Sequence, residues 1–349
     1  MNSINNSPTL PFVSVVMPVR NEDNFLYRSL SAVLSQDYPS DRLQIIVADG
    51  ISSDGTQAVI NQFLSTHPNL ILTNNPGLIV PTGLNKALKV ASGEIIVRVD
   101  GHTIIAPDYV SQCVSTLQRS GADNVGGRMT ANGQGAFAEA VAVATSSPFG
   151  VGGARFHYSK REELVDTVYM GAWWKKIFEK IGLFDEELVH NQDDEFNYRL
   201  LEKGGKILLN PEIKSVYSVR RTPSALWQQY FQYGYWKVRV LQKHFHQMRL
   251  RQFIPPIFVA SLLLASGLAL ITPAGFYLLI LIFGSYLIAN LFASMMEGLK
   301  TAKRHILWLP IVYLILHLSY GSGFLVGMIR FANRWGDKKG KVPELLLGE

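Results

Sequence analysis

The 349-residue chain has one cysteine, Cys113. No intramolecular disulfide can form, which excludes a secreted disulfide scaffold. Charge is scarce as well. Asp, Glu, Lys and Arg make up 17% of residues, against roughly a quarter in a soluble globular chain. With 48% hydrophobic residues and a mean hydropathy of +0.12, that shortfall excludes disorder and points to membrane segments. No repeat or sustained period is present, so collagen and coiled coil are excluded too. The opening MNSINNSPTL lacks an apolar run, and no signal peptide is expected there. Several nucleotide and hydrolase signatures are also missing. PVRNED follows the first strand where a dinucleotide site would need GxGxxG, and neither GxxxxGK[ST] nor GxSxG occurs. His244 and His246 are two apart, on different faces of a helix, and make a poor metal pair.

What is present divides the chain unevenly. Between Phe253 and Met296 there is no Asp, Glu, Lys, Arg or His, and between Ile306 and Ile329 the only one of these is His317. A bilayer crossing takes about 20 apolar residues. The first stretch is long enough for two, with Thr272-Pro273-Ala274-Gly275 as the turn between them. The division expected is a flexible arm (1–11), a catalytic domain (12–227), a basic aromatic interfacial helix (228–252), a transmembrane region (253–330) of two or three helices, and a basic tail (331–349). Lys and Arg gather beside the apolar stretches, at Lys237, Arg239, Lys243, Arg249 and Arg251, at Lys300, Lys303 and Arg304, and from Arg330 to Lys341. Anionic headgroups and the positive-inside bias account for these bases, so the net charge of +6 needs no nucleic acid partner. The third apolar stretch sets length against charge. Twenty-odd residues suffice to cross, but crossing would put the basic tail outside. A re-entrant or interfacial piece would keep the tail inside.

The soluble part alternates short strands and helices. Strands are predicted at Phe12–Met17, Leu43–Ala48, Leu70–Thr73 and Glu94–Val99. Helices are predicted at Asn24–Ser35, Thr56–Leu64, Thr82–Val90 and Asp108–Arg119. Strands that are apolar without alternation, separated by helices, indicate an α/β fold with a mostly parallel sheet covered on both faces. Further on, Ala136–Ala144, Trp173–Ile181 and Asp193–Glu202 read as helices, Lys206–Leu209 as a strand, and Pro148–Ala154 as a loop. Ligands bind beyond the carboxyl ends of such parallel strands. Those ends carry Arg20-Asn21-Glu22, Asp49-Gly50 and Asp100-Gly101-His102.

Asp100 with His102 two residues on suits a divalent cation held against a diphosphate. Asn191–Arg199 (NQDDEFNYR) sets three acids at a helix start, where they favour the helix dipole or supply a general base. Alone, each of these patches also reads as an ordinary turn or cap.

Together and in order, VSVVMPVRNE, VADGISSDGT, GLNKAL and ASGEIIVRVDGH resemble the inverting family 2 glycosyltransferases of the GT-A fold. GADNVGGRM, AVAVATSSPFGVGGARF, VDTVYMGAWW, IGLFDEELVHNQDDEFNYRL and QQYFQYGYWK resemble the succinoglycan-type exopolysaccharide glucosyltransferases. The resemblance spans about residues 12–240. It implies a GT-A nucleotide-sugar-binding domain followed by a helical membrane anchor. The nucleotide would be held by Pro18, Val19, Arg20, Glu22, Asp49, Gly50, Asn85, Lys86 and Asp100. Asp49 would accept from the uracil N3–H of a UDP-sugar donor. The cofactor implied is Mn²⁺ or Mg²⁺ at Asp100 and His102. The family's second acid is replaced by His102, and imidazole suits Mn²⁺ better. The family's Glu-Asp base motif falls on Gln192-Asp193, which makes Asp193 the base and Asp194 its neighbour. The acceptor implied is a polyprenyl-diphosphate-linked saccharide, at a bacterial plasma membrane with the catalytic domain in the cytoplasm. QxxRW is absent, which favours single transfer over a processive synthase. A non-catalytic UDP-sugar-binding scaffold is the other alternative.

Overall fold

A computed structural model describes residues 10–345. Of the arm at 1–11, residues 1–9 lie outside the described residues, as do residues 346–349 of the tail. Among the described residues, nine strands form one sheet in the order β3-β2-β1-β4-β8-β6-β9-β5, with β7 on β9. They are β1 (Val13–Val19), β2 (Leu43–Asp49), β3 (Leu70–Asn74), β4 (Ile95–Arg98), β5 (Thr103–Ile105), β6 (Asn124–Asn132), β7 (Glu163–Leu164), β8 (Tyr169–Trp174) and β9 (Ile207–Ser218). The helices of the sheet domain are α1 (Asp23–Leu34), α2 (Thr56–Leu64), α3 (Val80–Val90), α4 (Tyr109–Ser120), α5 (Ala136–Thr145), α6 (Pro148–Val151), α7 (Lys176–Ile181) and α8 (Gln192–Glu202). Then follow α9 (Pro223–Lys243), α10 (Ile254–Ala269), α11 (Pro273–Lys300) and α12 (Leu309–Arg330).

The first four strands are parallel, as apolar runs without alternation require. Val15, Met17, Ile45, Val47, Ile95 and Val97 are buried on one face under α1, α2 and α4. Val16, Ile46, Ala48 and Ile96 are buried on the other, under α3, α7 and α8. The register pairs Val19 with Asp49, so the loops after β1 and β2 leave the sheet level with one another. Asn21 and Ile51, both at φ +53°, turn these loops out of the strands. Side chains then lace the loops together: the Ser53 amide donates to Asn21 Oδ1 (2.9 Å) and the Glu22 amide to Thr56 Oγ1 (2.7 Å).

The second half of the sheet departs from the sequence reading. Trp173 and Trp174 do not open a helix; they end β8, antiparallel to β4, with Ile96 opposite Trp173. Trp173 packs edge-on against Phe178, Phe184 and Phe196, and that burial outweighs the helical spacing of the segment. The strand predicted at Lys206–Leu209 runs on to Ser218 beside β6, which sequence reading does not identify. The pair Gly126-Gly127 lies inside β6 at a bulge. A Cβ on Gly127 would sit 1.6 Å from the Ile213 carbonyl oxygen, so the close approach of β9 requires glycine there. The expected loop at Pro148–Ala154 contains the short α6.

The interfacial helix expected at 228–252 is a different object. Its helical body is α9, and its bases turn inward. Lys237 pairs with Asp194, Arg239 with Glu187 (2.9 Å), and Lys243 with Asp185 and Glu187 (3.0 Å). Acids in the segment before and within α8 thus claim the charges that sequence alone assigns to lipid headgroups. Arg249 remains mostly exposed.

Three segments are long and apolar enough to cross a membrane: Leu250–Ala269, Pro273–Lys300 and Leu309–Arg330. The turn at Thr272–Gly275 forms as expected, with the Thr272 hydroxyl accepting from the Gly275 amide at 3.1 Å. α12 is one unbroken helix through Gly321 and Gly323. It lies along α9. A Cβ on Gly323 would fall 2.0 Å from the Phe231 carbonyl, and one on Gly234 would fall 2.0 Å from that of Tyr320. Paired small residues let two helix backbones meet closely. Both ends of α12 touch the sheet domain. At its start Leu309, Val312 and Tyr313 pack with Ala138, Val141 and Ala144 of α5, and Tyr313 OH meets Ser147 Oγ at 2.9 Å. Just before it, Arg304 pairs with Glu139 at 2.8 Å. At its end Gln242 donates to the Phe331 carbonyl at 2.8 Å and Arg334 reaches Glu187. The tail then docks, with the Lys341 amide on Asp185 Oδ1 at 2.8 Å and the Leu183 amide on the Pro343 carbonyl at 2.9 Å.

Candidate active site

A cavity of about 1090 Å³ opens at the carboxyl edge of β4. Four residues singled out in the sequence line it: Asp100, His102, Asp193 and Asp194. It runs from them past Tyr217 and Tyr233 to Phe258 of α10, Tyr286 of α11 and Tyr320 of α12. One space therefore joins the strand ends to the apolar helices.

Asp100 leaves β4 two residues beyond Arg98, a charge buried in an otherwise apolar strand. Arg98 grips Asp100 with two parallel bonds, Nε to Oδ1 at 2.8 Å and Nη2 to Oδ2 at 3.2 Å. Its Nη1 is buried without a partner among the described residues. Burial works against the guanidinium charge, and Asp100 and Asp193 outweigh it, so the net shift is upward. The sequence reading missed Arg98. The signal was available: an arginine inside IIVRV has to be satisfied by something on the same sheet edge.

His102 Nδ1 meets Glu22 at 2.9 Å, which brings together residues from the loops after β1 and β4. Burial pulls the imidazole pKa down, and the hydrogen bond and charge of Glu22, with the charge of Asp100, together bring it to a net rise. With Nδ1–H committed to a carboxylate, Nε2 is the free ring nitrogen, which is how metal-binding histidines are usually oriented. Asp100, although gripped by Arg98, and His102 line the same cavity, as a two-residue ligand pair for a divalent cation would require. No cluster of three His, Cys, Asp or Glu ligands occurs among the described residues. A diphosphate and water would have to complete the shell.

The structure separates the two carboxylates at the start of α8. Asp194 forms an ion pair with Lys237, a buried ammonium. Burial lowers the lysine pKa, and Asp194 reverses this to a net rise. Asp193 has no cation within ion-pair distance among the described residues; it accepts from the Asp194 amide at 2.9 Å. Burial pushes its pKa up, the Asp194 charge adds to this, and Arg98 and Lys237 oppose it. The third acid, Glu195, is taken up by Arg199 (2.9 Å) and His244 (3.2 Å).

Pro18, Val19, Arg20, Glu22, Asp49 and Gly50 stand at the same sheet edge but do not line this cavity. Asp49 is buried, accepting from Ser52 Oγ at 2.5 Å and Gln57 Nε2 at 2.7 Å. Asn85 and Lys86 are not brought into the cavity. The Asn85 amide clamps Phe184 through both backbone atoms (2.8 and 2.9 Å), and Lys86 is exposed on α3. The aromatic segment that the sequence assigns to an interfacial helix also lines the cavity. Gln229 Nε2 bonds Tyr217 OH and Tyr233 OH, each at 2.9 Å, and Tyr217 meets the His102 ring edge-on.

Comparison with known proteins bears on the same residues. The model of Glycosyl transferase family 2 matches residues 14–182. A dolichyl N-acetyl-α-D-glucosaminyl phosphate 3-β-D-2,3-diacetamido-2,3-dideoxy-β-D-glucuronosyltransferase of Methanococcus voltae is 28% identical, over 91% of this chain and 98% of that protein. The succinoglycan biosynthesis protein ExoA of Rhizobium meliloti is 26% identical, over 92% of this chain and 96% of its own length. The solved mannosyltransferase PcManGT from Pyrobaculum calidifontis, in complex with GDP-Man and Mn²⁺, superposes with a TM-score of 0.52 at 18% identity, covering 94% of this chain and 88% of that one. That likeness extends the GT-A fold across the sheet domain. The chain belongs to glycosyl transferase family 2 and is a GT-A glycosyltransferase carrying C-terminal helices apolar enough to cross a membrane.

Proposed function

We propose that the protein transfers one hexose, glucose, from a UDP-sugar to a polyprenyl-diphosphate-linked saccharide, with inversion, during assembly of an exopolysaccharide repeat unit. The observation that carries this is the single cavity joining Asp100, His102 and Asp193 to the apolar helices. A saccharide on a membrane lipid has to bridge those two regions. The likeness to ExoA and to a transferase named for a dolichyl-linked acceptor supports the same reading.

The chemistry needs one displacement. The acceptor hydroxyl attacks the anomeric carbon from the face opposite the diphosphate. The new C–O bond forms as the bond to the diphosphate oxygen breaks, and UDP departs with the electron pair. Asp193 takes the hydroxyl proton. Its raised pKa suits a base that returns the proton to solvent after each turnover. Asp194, paired with Lys237, helps hold that pKa up. Arg98 fixes Asp100 and places positive charge beside the leaving group. A divalent cation at Asp100 and His102 would add neutralising charge on the departing diphosphate. Asp49 and the loop from Pro18 to Glu22 are assigned to the nucleotide.

Nucleotide sugars are cytosolic, so the sheet domain belongs on the cytoplasmic face of a bacterial plasma membrane. The contacts at both ends of α12 support a two-crossing anchor. In that arrangement α10 and α11 form the hairpin, α12 lies in the interface, and the basic tail stays inside. A screen of UDP-sugars against polyprenyl-diphosphate-linked saccharides, read by mass spectrometry, tests the reaction. One added hexose in β linkage is expected. A ladder of added sugars would indicate a processive synthase, and no transfer to any lipid-linked acceptor would overturn the proposal.

A further inference from the structure

The catalytic cavity does not end within the sheet domain. A second, shallow depression of about 440 Å³ lies between α10 and α11 on the outside of the hairpin. Ile257 and Ser261 form one side, and Ile282 and Ser285 the other. Ile254, Phe258 and Tyr286 line both this groove and the catalytic cavity. The two spaces are therefore neighbours across a wall of three side chains, with Phe258 stacked on Tyr286 at a 4.4 Å centroid distance. The groove is open and mostly apolar, and its polar side-chain atoms are those of the two serines and the tyrosine. It belongs to helices that lipid surrounds if the hairpin crosses the bilayer.

A cation stands where the polar space meets the apolar one. Arg251 lines the cavity three residues before Ile254. Its side chain lies over Gly152 and Gly153, where a Cβ on Gly153 would come within 3.1 Å of Nη1. That explains the bare glycines of the loop after α6. Asp166 accepts from Arg251 Nη2 at 2.6 Å and stands 3.8 Å from Arg249 Nε. Two guanidinium groups thus share one carboxylate, leaving a net positive charge at the seam. Arg presents five N–H donors in a planar fork, and one bond to Asp166 leaves most of them for an anion.

We infer that the prenyl chain of the acceptor lies in the α10–α11 groove, and that Arg251 holds the phosphate at the groove's inner end. The inference rests on the lipid-linked acceptor proposed above. It adds where the chain enters and which residue fixes the sugar's distance from Asp193. An isoprenoid diphosphate matches the sequence of surfaces in order: apolar groove, cationic seam, polar cavity.

The test uses the full chain in nanodiscs, with farnesyl diphosphate, inorganic diphosphate and UDP as separate titrants. Wild type should bind farnesyl diphosphate at least about tenfold more tightly than inorganic diphosphate, because only the former buries apolar surface in the groove. Ser285→Trp fills the groove and should remove that advantage while leaving UDP affinity unchanged, which also reports that the variant is folded. Ile288→Trp, on the exposed surface of the same helix outside the groove, should bind all three as wild type does. Arg251→Gln should weaken farnesyl diphosphate about tenfold and UDP little. If Ser285→Trp keeps the full preference, the groove assignment is wrong. If Arg251→Gln binds like wild type, the phosphate assignment is wrong. If wild type itself shows no preference for the prenylated diphosphate, the lipid-linked acceptor reading falls, and this inference with it.

Discussion

Replacing Asp193 and Asp194 separately by Asn should give two different enzymes. Asp193→Asn removes the only acid of the pair without an ion-pair partner among the described residues. Loss of a general base lowers turnover by roughly 10²–10⁴, or about 3–5 kcal/mol of transition-state stabilisation. UDP affinity and fold should be retained. Asp194→Asn acts elsewhere. It leaves Lys237, whose side chain is 6% exposed, without its carboxylate. Breaking such a pair from one side is destabilising by about 3–5 kcal/mol. The effect on the reaction is indirect and has a definite sign. The Asp194 charge raises the Asp193 pKa, and a Lys237 freed of its partner would lower it. The acid limb of kcat/KM should therefore move to lower pH in Asp194→Asn, with activity near pH 7 largely kept. The assay is UDP release against pH for both variants, alongside thermal unfolding. If Asp194→Asn abolishes turnover while Asp193→Asn stays near wild type, or if the Asp194→Asn acid limb moves upward, the assignment of base and neighbour is refuted.

Glu22→Gln should weaken Mn²⁺ binding about 10–100-fold by removing the carboxylate behind His102; Mn²⁺ paramagnetic resonance with UDP present reads this without turnover. Glu187 carries Arg239, Lys243 and Arg334. Burial pushes its pKa up, but the bonds from Arg239 and Lys243 win and hold it near about 2, from an ordinary 4.5. A depressed carboxylate stabilises fully above its unfolded value and loses that contribution as pH falls through the folded one. Acidification from pH 4.5 towards 2 should therefore loosen the tail, seen as rising protease sensitivity beyond Arg334. Gly323→Leu should separate α12 from α9, since even a Cβ there meets the Phe231 carbonyl at 2.0 Å; a large fall in melting temperature checks it. In a chain with Cys113 replaced, cysteines at 274 and 339 should label from opposite sides of the membrane; labelling from the same side would remove the two-crossing anchor.

The parallel half of the sheet was legible in the sequence because its physics is local. Apolar runs such as Val13–Met17 and Leu43–Ala48 are buried on both faces, so they need no partner information to be recognised. The ends of those strands, where Asp49 and Asp100 stand, follow from the same alternation. The hairpin was legible too, since an uncharged stretch of twice the roughly 20 residues a crossing takes, with a Thr-Pro turn at its middle, indicates it. Tertiary structure decided the rest wherever a residue's meaning depends on what lies far from it in the chain. Gly127 belongs to a strand only because Ile213 presses against it. Trp173 is in β8 because Phe178, Phe184 and Phe196 surround it. The bases of α9 look like a lipid-facing stripe until Asp185, Glu187 and Asp194 are placed beneath them. In the sequence only the motif register separates Asp193 from Asp194, whereas in the structure the Lys237 ion pair falls on Asp194. Length and charge favour different placements of Leu309–Arg330, and the two-crossing anchor proposed above draws on contacts instead. Glu139 at one end and Asp185 at the other bind both flanks of that helix to the same domain, and no stretch of sequence records that pairing.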